Sequence, residues 1–522
     1  MREKSCYKEL TNVASVAVFA KVSDSEGIYM SSLSGQTEAP LSRNFFDRRH
    51  TKIIGTLGPS SSTYEVQKQL IEAGLNVARL NFSHGDHETH AKNIESIRRA
   101  SIETGRPVAL LQDLQGPKIR VGRLIGGQMD IKNGEYYRLR YGIEQDDPKV
   151  IPIDYRGLVH DVKVGQRVMM DDGLLLLQVD AVKEDAVIVR VEEGGLLKNR
   201  KGVNFPDSKL SLPAMTDKDS KDLLFGIANR VDYIALSFVQ DPSDIHQIKA
   251  MIKALGSDVP VIAKIEKTTA MEVIDAIAEA ADALMVARGD LGVEANVERV
   301  PNLQKKIIAA AARAGKPVII ATQMLESMIT NPRASAAEVA DVANGVLDGA
   351  DCLMLSGEVA SGRYPVECIK RMASIIEQVE QWTFKRASRV DLATLHDDVG
   401  NWEVHESIAI SACEAADTLK AKAIVCLSLT GSIARTISKW RPSTPIIAVT
   451  PRPDVARRLA LVWGVHGIPN SSFYNADTVL QDLPKVLKDI GIVESGDVVV
   501  ITAGIPINQM KPSNTLKINR IP

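Results

Sequence analysis

The sequence predicts an α/β protein built on a closed eight-stranded β/α barrel, with a β-barrel lid inserted in one of its loops and a smaller α/β domain after it. Three observations carry that reading. Eight short, nearly continuous apolar runs alternate with helix-period segments; about residues 119–215 interrupt them without helix periodicity; and after Gln381 a shorter alternation restarts.

The eight runs fall at 52–56, 76–81, 108–113, 233–237, 259–266, 283–290, 317–322 and 352–356. Strands that are apolar on both faces belong to a parallel sheet covered on both sides. Eight such units favour a (β/α)8 TIM barrel, with an open doubly wound sheet as the structural alternative. In such a barrel the strand C-termini converge on one mouth, where active sites lie. Here those positions carry Arg79, Asn81, Asp113, Lys264, Glu266, Asp290 and Thr322.

The interruption reads as short strands, among them 167–170, 174–179 and 186–191, punctuated by Gly126-Gly127, Asn133-Gly134 and Asp172-Gly173. Paired glycines and Asx-Gly dipeptides are hairpin signals. The insert leaves from the mouth and so sits where a lid would sit. Beyond it, a helical segment at 404–419, strands at 423–427, 445–449, 464–468 and 498–502, and a turn at 428–432 make a second, mostly parallel unit. The expected domains are an extension at 1–48, a catalytic barrel at 49–118 and 216–383, the lid at 119–215, and an α/β regulatory domain at 384–522.

Length alone predicts about three domains. Of the 522 residues, 45% are hydrophobic and the formal net charge is -2, so a large core is available and no global field recruits nucleic acid. The five cysteines are scattered and odd in number and contain no C-x-x-C pair, which fits a reducing compartment. Residues 13–20 are too short to span a bilayer, and Glu3 and Glu9 spoil a secretory leader. The expectation is a soluble cytoplasmic protein, with neither nucleic acid nor membrane as partner, and a weakly structured extension at 1–48.

Residues 261–266 (VIAKIE) hold the most informative chemistry. Alternation along a strand sends Lys264 and Glu266 to one face. A plain ion pair closing a core strand is the bland reading. Glu266 and Asp290, ending adjacent strands, offer two carboxylates to one oxygen-liganded cation such as Mg²⁺, which takes one or two protein carboxylates and completes its shell with water and substrate oxygens. Lys264, Arg79 and Arg120 add positive charge suited to phosphate. Together they point to a phosphorylated, strongly anionic substrate.

Gly289, at the start of a helix, lets backbone amides approach a carboxylate, or simply turns the chain. Thr322 places a hydroxyl at the mouth, or satisfies a local hydrogen bond. His84, His87 and His90 recur every third residue, yet H-E-x-x-H is absent, and solvated histidines at a helix start are the expectation over a zinc site. No G-x-x-x-x-G-K-[ST] occurs, so no P-loop holds nucleotide phosphates.

In order along the chain, residues 51–60 (TKIIGTLGPS), 76–85 (NVARLNFSHG), 116–120 (GPKIR), 262–266 (IAKIE), 285–292 (MVARGDLG) and 321–328 (ATQMLESM) resemble the pyruvate kinase family, over nearly everything from Thr51 onward. The resemblance implies the architecture above, a homotetramer, and phosphoryl transfer from phosphoenolpyruvate to ADP, the ATP-yielding last step of glycolysis. It implies Mg²⁺ or Mn²⁺ on Glu266 and Asp290, with Arg79 and Lys264 on the moving phosphoryl group. Ala287, Arg288, Gly289, Asp290 and Thr322 would line the substrate, chiefly through backbone at 287–289; a relay through Thr322 and water is the hypothesis for protonating the enolate. Arg79, Asn81, His84, Arg120 and, from the lid, Lys201 would meet the nucleotide.

Some positions depart from the family pattern. Asn81, Ser83, Asp113 and Leu114 align with a monovalent-cation site, but K⁺-requiring members carry threonine, lysine and glutamate where this chain has Leu114, Gln115 and Lys118. Lys118 would then replace the K⁺ charge. Ser428, Thr430, Gly431 and Ser432 resemble an effector-phosphate loop in which Ile433 replaces a usual hydroxyl residue. Ala336 stands where an interface arginine is usual, and Thr89 where animal members have tyrosine. A metal-dependent lyase of the enolate-forming type and a silent phosphoenolpyruvate sensor are the competing readings; Lys201 in the lid argues against the first, and intact Lys264 and Asp290 against the second.

Overall fold

The computed structural model describes residues 49–386, 403–470, 476–505 and 512–522, all within one compact unit, 41–522. The extension expected at 1–48 lies outside the described residues.

Strands β1 (Lys52–Leu57), β2 (Val77–Asn81) and β3 (Ala109–Asp113) open the barrel. The insert follows with β4 (Gln128–Ile131), β5 (Tyr136–Tyr141), β6 (Val150–Ile153), β7 (Arg167–Met170), β8 (Leu175–Val182), β9 (Val187–Glu193), β10 (Gly195–Lys198) and β11 (Val203–Asn204). The barrel resumes with β12 (Tyr233–Leu236), β13 (Val261–Ile265), β14 (Ala283–Ala287), β15 (Val318–Ala321) and β16 (Cys352–Leu355). These eight barrel strands form one closed parallel ring, in which β16 returns to pair with β1 from Lys52↔Cys352 to Gly55↔Leu355.

The barrel interior is packed with buried apolar residues such as Ala109, Ala235, Ala283, Ala321, Val77 and Met285. Ala460 and Leu461 of the C-terminal region join that same cluster and plug the floor. Tyr233 donates its hydroxyl to the Arg458 carbonyl at 2.7 Å, and Lys52 Nζ reaches the Val465 carbonyl at 2.8 Å. With the floor stoppered by another domain, the opposite end is left for chemistry.

In the insert, β11-β7-β8-β9-β5-β6 form a six-stranded sheet beside the pair β10-β4. Its two edges are joined by the segment leaving the mouth: Val121 N–H donates to the Lys201 carbonyl on one side, and Gly122 N–H to the Pro152 carbonyl on the other. Bridges Arg120↔Gly202 and Val121↔Ile153 complete the closure. The chain returns through Thr216, whose hydroxyl accepts from Asp219 N–H in a capping box at the start of helix Asp217–Ala228.

In the C-terminal domain, β17 (Ala423–Leu427), β18 (Ile446–Thr450), β19 (Val465–Pro469), β20 (Val498–Ala503) and β21 (Thr515–Arg520) line up as β19-β18-β17-β20-β21. Only β21, which the sequence reading did not anticipate, runs antiparallel. Among the described residues no helix is long and apolar enough to cross a membrane.

Candidate active site

Lys264 is the penultimate residue of β13, and its alternation partner Glu266 follows just past the strand end. The two do share a face: Lys264 Nζ lies 2.9 Å from Glu266 Oε1 and 3.1 Å from Asp113 Oδ1 at the end of β3. Lys264 Nζ also donates to Ser237 Oγ at 2.6 Å, and that hydroxyl in turn donates to the Leu114 carbonyl at 2.7 Å. The ammonium is thus gripped from three directions.

Arg79, on β2, donates Nε to Asp113 Oδ2 at 2.7 Å and Nη1 to Thr56 Oγ1 at 2.9 Å. Two cations and two carboxylates therefore sit largely buried together, which is how buried charge survives. Burial works against charging Lys264, but Asp113 and Glu266 outweigh it and raise its pKa. Burial also opposes ionising Asp113, yet Lys264 and Arg79 hold it below the usual carboxylate range. Glu266 ends up at about 7, pushed up by burial and by the facing charge of Asp290, with Lys264 only partly offsetting them.

Asp290 lies not on a strand, as the run 283–290 suggested, but in the first turn of helix Arg288–Ala295. The strand stops at Ala287 because the chain turns there into a helix that starts over the mouth. Lys118 Nζ comes to 3.8 Å from Asp290 Oδ1. Gly289 N–H donates to Thr322 Oγ1 at 2.9 Å, and the Thr322 hydroxyl donates to the Ala321 carbonyl at 2.6 Å. The local hydrogen-bond reading of Thr322 therefore holds in this state. Thr322 and Gln323 both have positive φ, +69° and +56°, a cost that non-glycine residues bear mostly at functional turns.

The Arg288 side chain turns away from the mouth, donating Nη2 to the Thr322 and Gln323 carbonyls at 2.6 and 2.9 Å and pairing with Asp341 at 2.9 Å. Only its backbone is left for a ligand. The other expected nucleotide residues lie on the rim: Arg120 donates to the Arg200 carbonyl at 3.1 Å, Lys201 pairs with Asp171 at 2.7 Å, and His84 is exposed. Of the monovalent-cation candidates, Asn81 Oδ1 accepts from Ser83 N–H, Asp113 holds two cations, and the Leu114 carbonyl takes the Ser237 hydroxyl.

The three histidines are not alike, and the expectation of solvated side chains fails for His90. Helix His87–Thr104 turns His90 inward, where it is buried and stacked on Phe82 at 4.1 Å with Nε2 donating to the His84 carbonyl. His87 pairs with Asp222 at 2.7 Å and stacks on Phe225. Spacing of three on a helix has placed these two rings against one aromatic patch.

Sequence reasoning missed Ser237 and Glu294. Ser237 closes the fourth apolar run, a strand-end polar position like the others, and the Gly116 turn (φ +72°) packs so close that a Cβ there would come within 2.8 Å of it. Glu294, one turn after Asp290, is 2% exposed, accepts from Asn204 of the lid at 2.8 Å and lies 3.9 Å from Lys267, the neighbour of Glu266. Arg167 of the lid reaches Asn296 Oδ1 at 3.2 Å. The lid is therefore stitched to the helix that carries Asp290.

Glu266 and Asp290 fit a divalent cation. They face each other closely enough for Asp290 to raise Glu266, so a cation between them relieves a repulsion already present.

A (β/α)8 barrel whose mouth gathers lysines, an arginine and two carboxylates beneath a β lid suits an enzyme of anionic substrates, and the relatives make that class a phosphotransferase. The family model described as pyruvate kinase, barrel domain, matches residues 48–369, and that described as pyruvate kinase, alpha/beta domain, matches 406–519. The chain is 47% identical to pyruvate kinase 2 of a Synechocystis species, covering 87% of this chain and 76% of the relative. It is 44% identical to pyruvate kinase of Geobacillus stearothermophilus, covering 91% and 81%. The structure of a pyruvate kinase from Cryptosporidium parvum superimposes with a TM-score of 0.86 at 37% identity, covering 92% of this chain and 98% of that one. The chain belongs to the pyruvate kinase family.

Proposed function

We propose that the mouth moves the phosphoryl group of phosphoenolpyruvate to ADP by the residues described above. A β-phosphate oxygen of ADP forms the new P–O bond as the enol oxygen leaves, and the enolate takes a proton at its methylene carbon to become pyruvate. The transition state spreads negative charge over the moving oxygens, so fixed cations supply most of the catalysis. The observation that carries the reading is the Lys264 ammonium, held in place by Asp113, Glu266 and Ser237. Arg79 stands beside it on Asp113. Mg²⁺ or Mn²⁺ on Glu266 and Asp290 would neutralise phosphoryl oxygens. Backbone at 287–289 receives the substrate carboxylate, and Thr322, released from Ala321, relays a proton from water towards the enolate. Arg120, His84, Asn81 and Lys201 meet ADP from the rim and the lid.

Lys118, 3.8 Å from Asp290, supplies the charge that K⁺ supplies elsewhere, which makes activity independent of K⁺. The 428–432 turn is a weak effector site: the Ile433 side chain is buried in the domain core and cannot complete a phosphate cradle. The working form is a cytoplasmic homotetramer. Pyruvate formation measured in K⁺ and in a quaternary ammonium salt at equal ionic strength tests the Lys118 role. Equal rates are expected; a large drop without K⁺ would remove Lys118 from that role.

A further inference from the structure

At the floor of the barrel, on the side away from the mouth, a cavity of about 50 Å³ lies between the barrel and the C-terminal domain. Lys316, Arg435, Lys439 and Arg441 line it with a single carboxylate, Asp351. Asp351 is already taken, pairing with Arg441 at 3.2 Å and accepting from Val318 N–H at 2.8 Å. Lys439 leans towards Glu406 at 3.7 Å and over the Trp440 ring. Lys316 and Arg435 have no carboxylate partner among the described residues. Asp282, which draws electrostatically on both cations, is itself paired with Lys249 at 2.8 Å, and the Arg435 guanidinium donates to the Thr430 carbonyl at 3.2 Å. Burial depresses the pKa of both; Arg435 also disfavours the charge of Lys316, and Arg458 that of Arg435, against a partial offset from Asp282 in each case.

Partly buried cations with no carboxylate in ion-pair contact are costly, and proteins either pair them or give them a ligand. A water needs roughly 10–15 Å³ of such space, so the cavity holds about as many oxygens as a tetrahedral oxyanion carries. A guanidinium fork beside an ammonium is the usual donor set for that shape. We propose that this floor cavity is a binding site for a phosphate group, free or as a small phosphomonoester, held by Lys316 and Arg435 and flanked by Lys439 and Arg441. The site is separate from the 428–432 turn but tied to it, because Arg435 sits in helix Ser432–Lys439 and holds the turn's Thr430 carbonyl. An occupant would join that helix to the loop ahead of β15, the strand that leads to Thr322.

The test is equilibrium binding of inorganic phosphate to the full chain, read by thermal shift against chloride at matched ionic strength. Wild type is compared with Lys316→Met, Lys316→Met/Arg435→Gln and the turn variant Thr430→Ala/Ser432→Ala. Removing one charge-assisted hydrogen bond should weaken phosphate by about tenfold in Lys316→Met. The double variant should weaken it further, and the turn variant should leave it unchanged. Glycerol phosphate as competitor distinguishes the sources: displacement of inorganic phosphate assigns the site to phosphomonoesters, and its failure assigns it to the free ion. No saturable binding in wild type, or an affinity that Lys316→Met leaves untouched while the turn variant abolishes it, would overturn the proposal.

Discussion

Arg79 and Lys264 at the mouth, and Lys316 and Arg435 at the floor, are two pairs of partly or largely buried cations on one barrel, neutralised in different ways. At the mouth, Asp113 and Glu266 answer the two charges within 3.1 Å. At the floor, the only lining carboxylate is spent on Arg441. The difference teaches that preorganisation for catalysis need not leave charge unbalanced. The mouth is a self-neutralised ion cluster, while the floor gathers cations in excess of the one carboxylate that lines it.

The largest effect should come from breaking the mouth's balance. Asp113→Ala strands two cations and should cost about 3–5 kcal/mol of stability in chemical denaturation. The floor should respond the other way: Lys316→Met, which removes a partly buried charge that no carboxylate contacts among the described residues, should be neutral or slightly stabilising. A destabilisation there as large as that of Asp113→Ala would erase the contrast.

Smaller effects sharpen the picture of the mouth. Ser237→Ala frees one side of Lys264 and leaves the Leu114 carbonyl without its donor, so kcat should fall about tenfold with little change in KM for phosphoenolpyruvate. Asn204→Ala cuts the lid from Glu294 and should instead raise KM for ADP by a few fold, with kcat nearly kept. The reverse pattern would mean the lid contact serves the phosphoryl group directly.

The smallest effect concerns pH. Burial lowers the pKa of His90 below its ordinary value of 6.5, so the folded protein keeps it neutral while the unfolded chain takes up a proton. Stability should therefore fall as pH drops below about 6.5, and His90→Asn should flatten that part of the profile of melting temperature against pH.

Much of this was legible in the sequence, for physical reasons that can be named. All eight apolar runs became barrel strands because strands buried on both faces must be continuously apolar, and alternation alone placed Lys264 with Glu266. The run at 283–290 overshot because a helix begins where the glycine-containing turn leaves the strand. The closure of the lid through residues 119–122 was invisible, since backbone hydrogen bonds carry it. Glu294 was hidden for another reason: its partner Asn204 is 90 residues away, and no local pattern marks a carboxylate buried by a domain that folds back over it. Ser237 was readable in principle, as a polar residue closing an apolar run.

The central claim is that the ammonium clamped by Asp113, Glu266 and Ser237 drives phosphoryl transfer. The direct measurement is pyruvate formation from phosphoenolpyruvate and ADP with Mg²⁺, comparing wild type with Lys264→Met. ADP-dependent pyruvate that falls by about 10²–10³-fold or more in the variant, with folding confirmed by circular dichroism, is the predicted result. A folded Lys264→Met protein that makes pyruvate at the wild-type rate would contradict it.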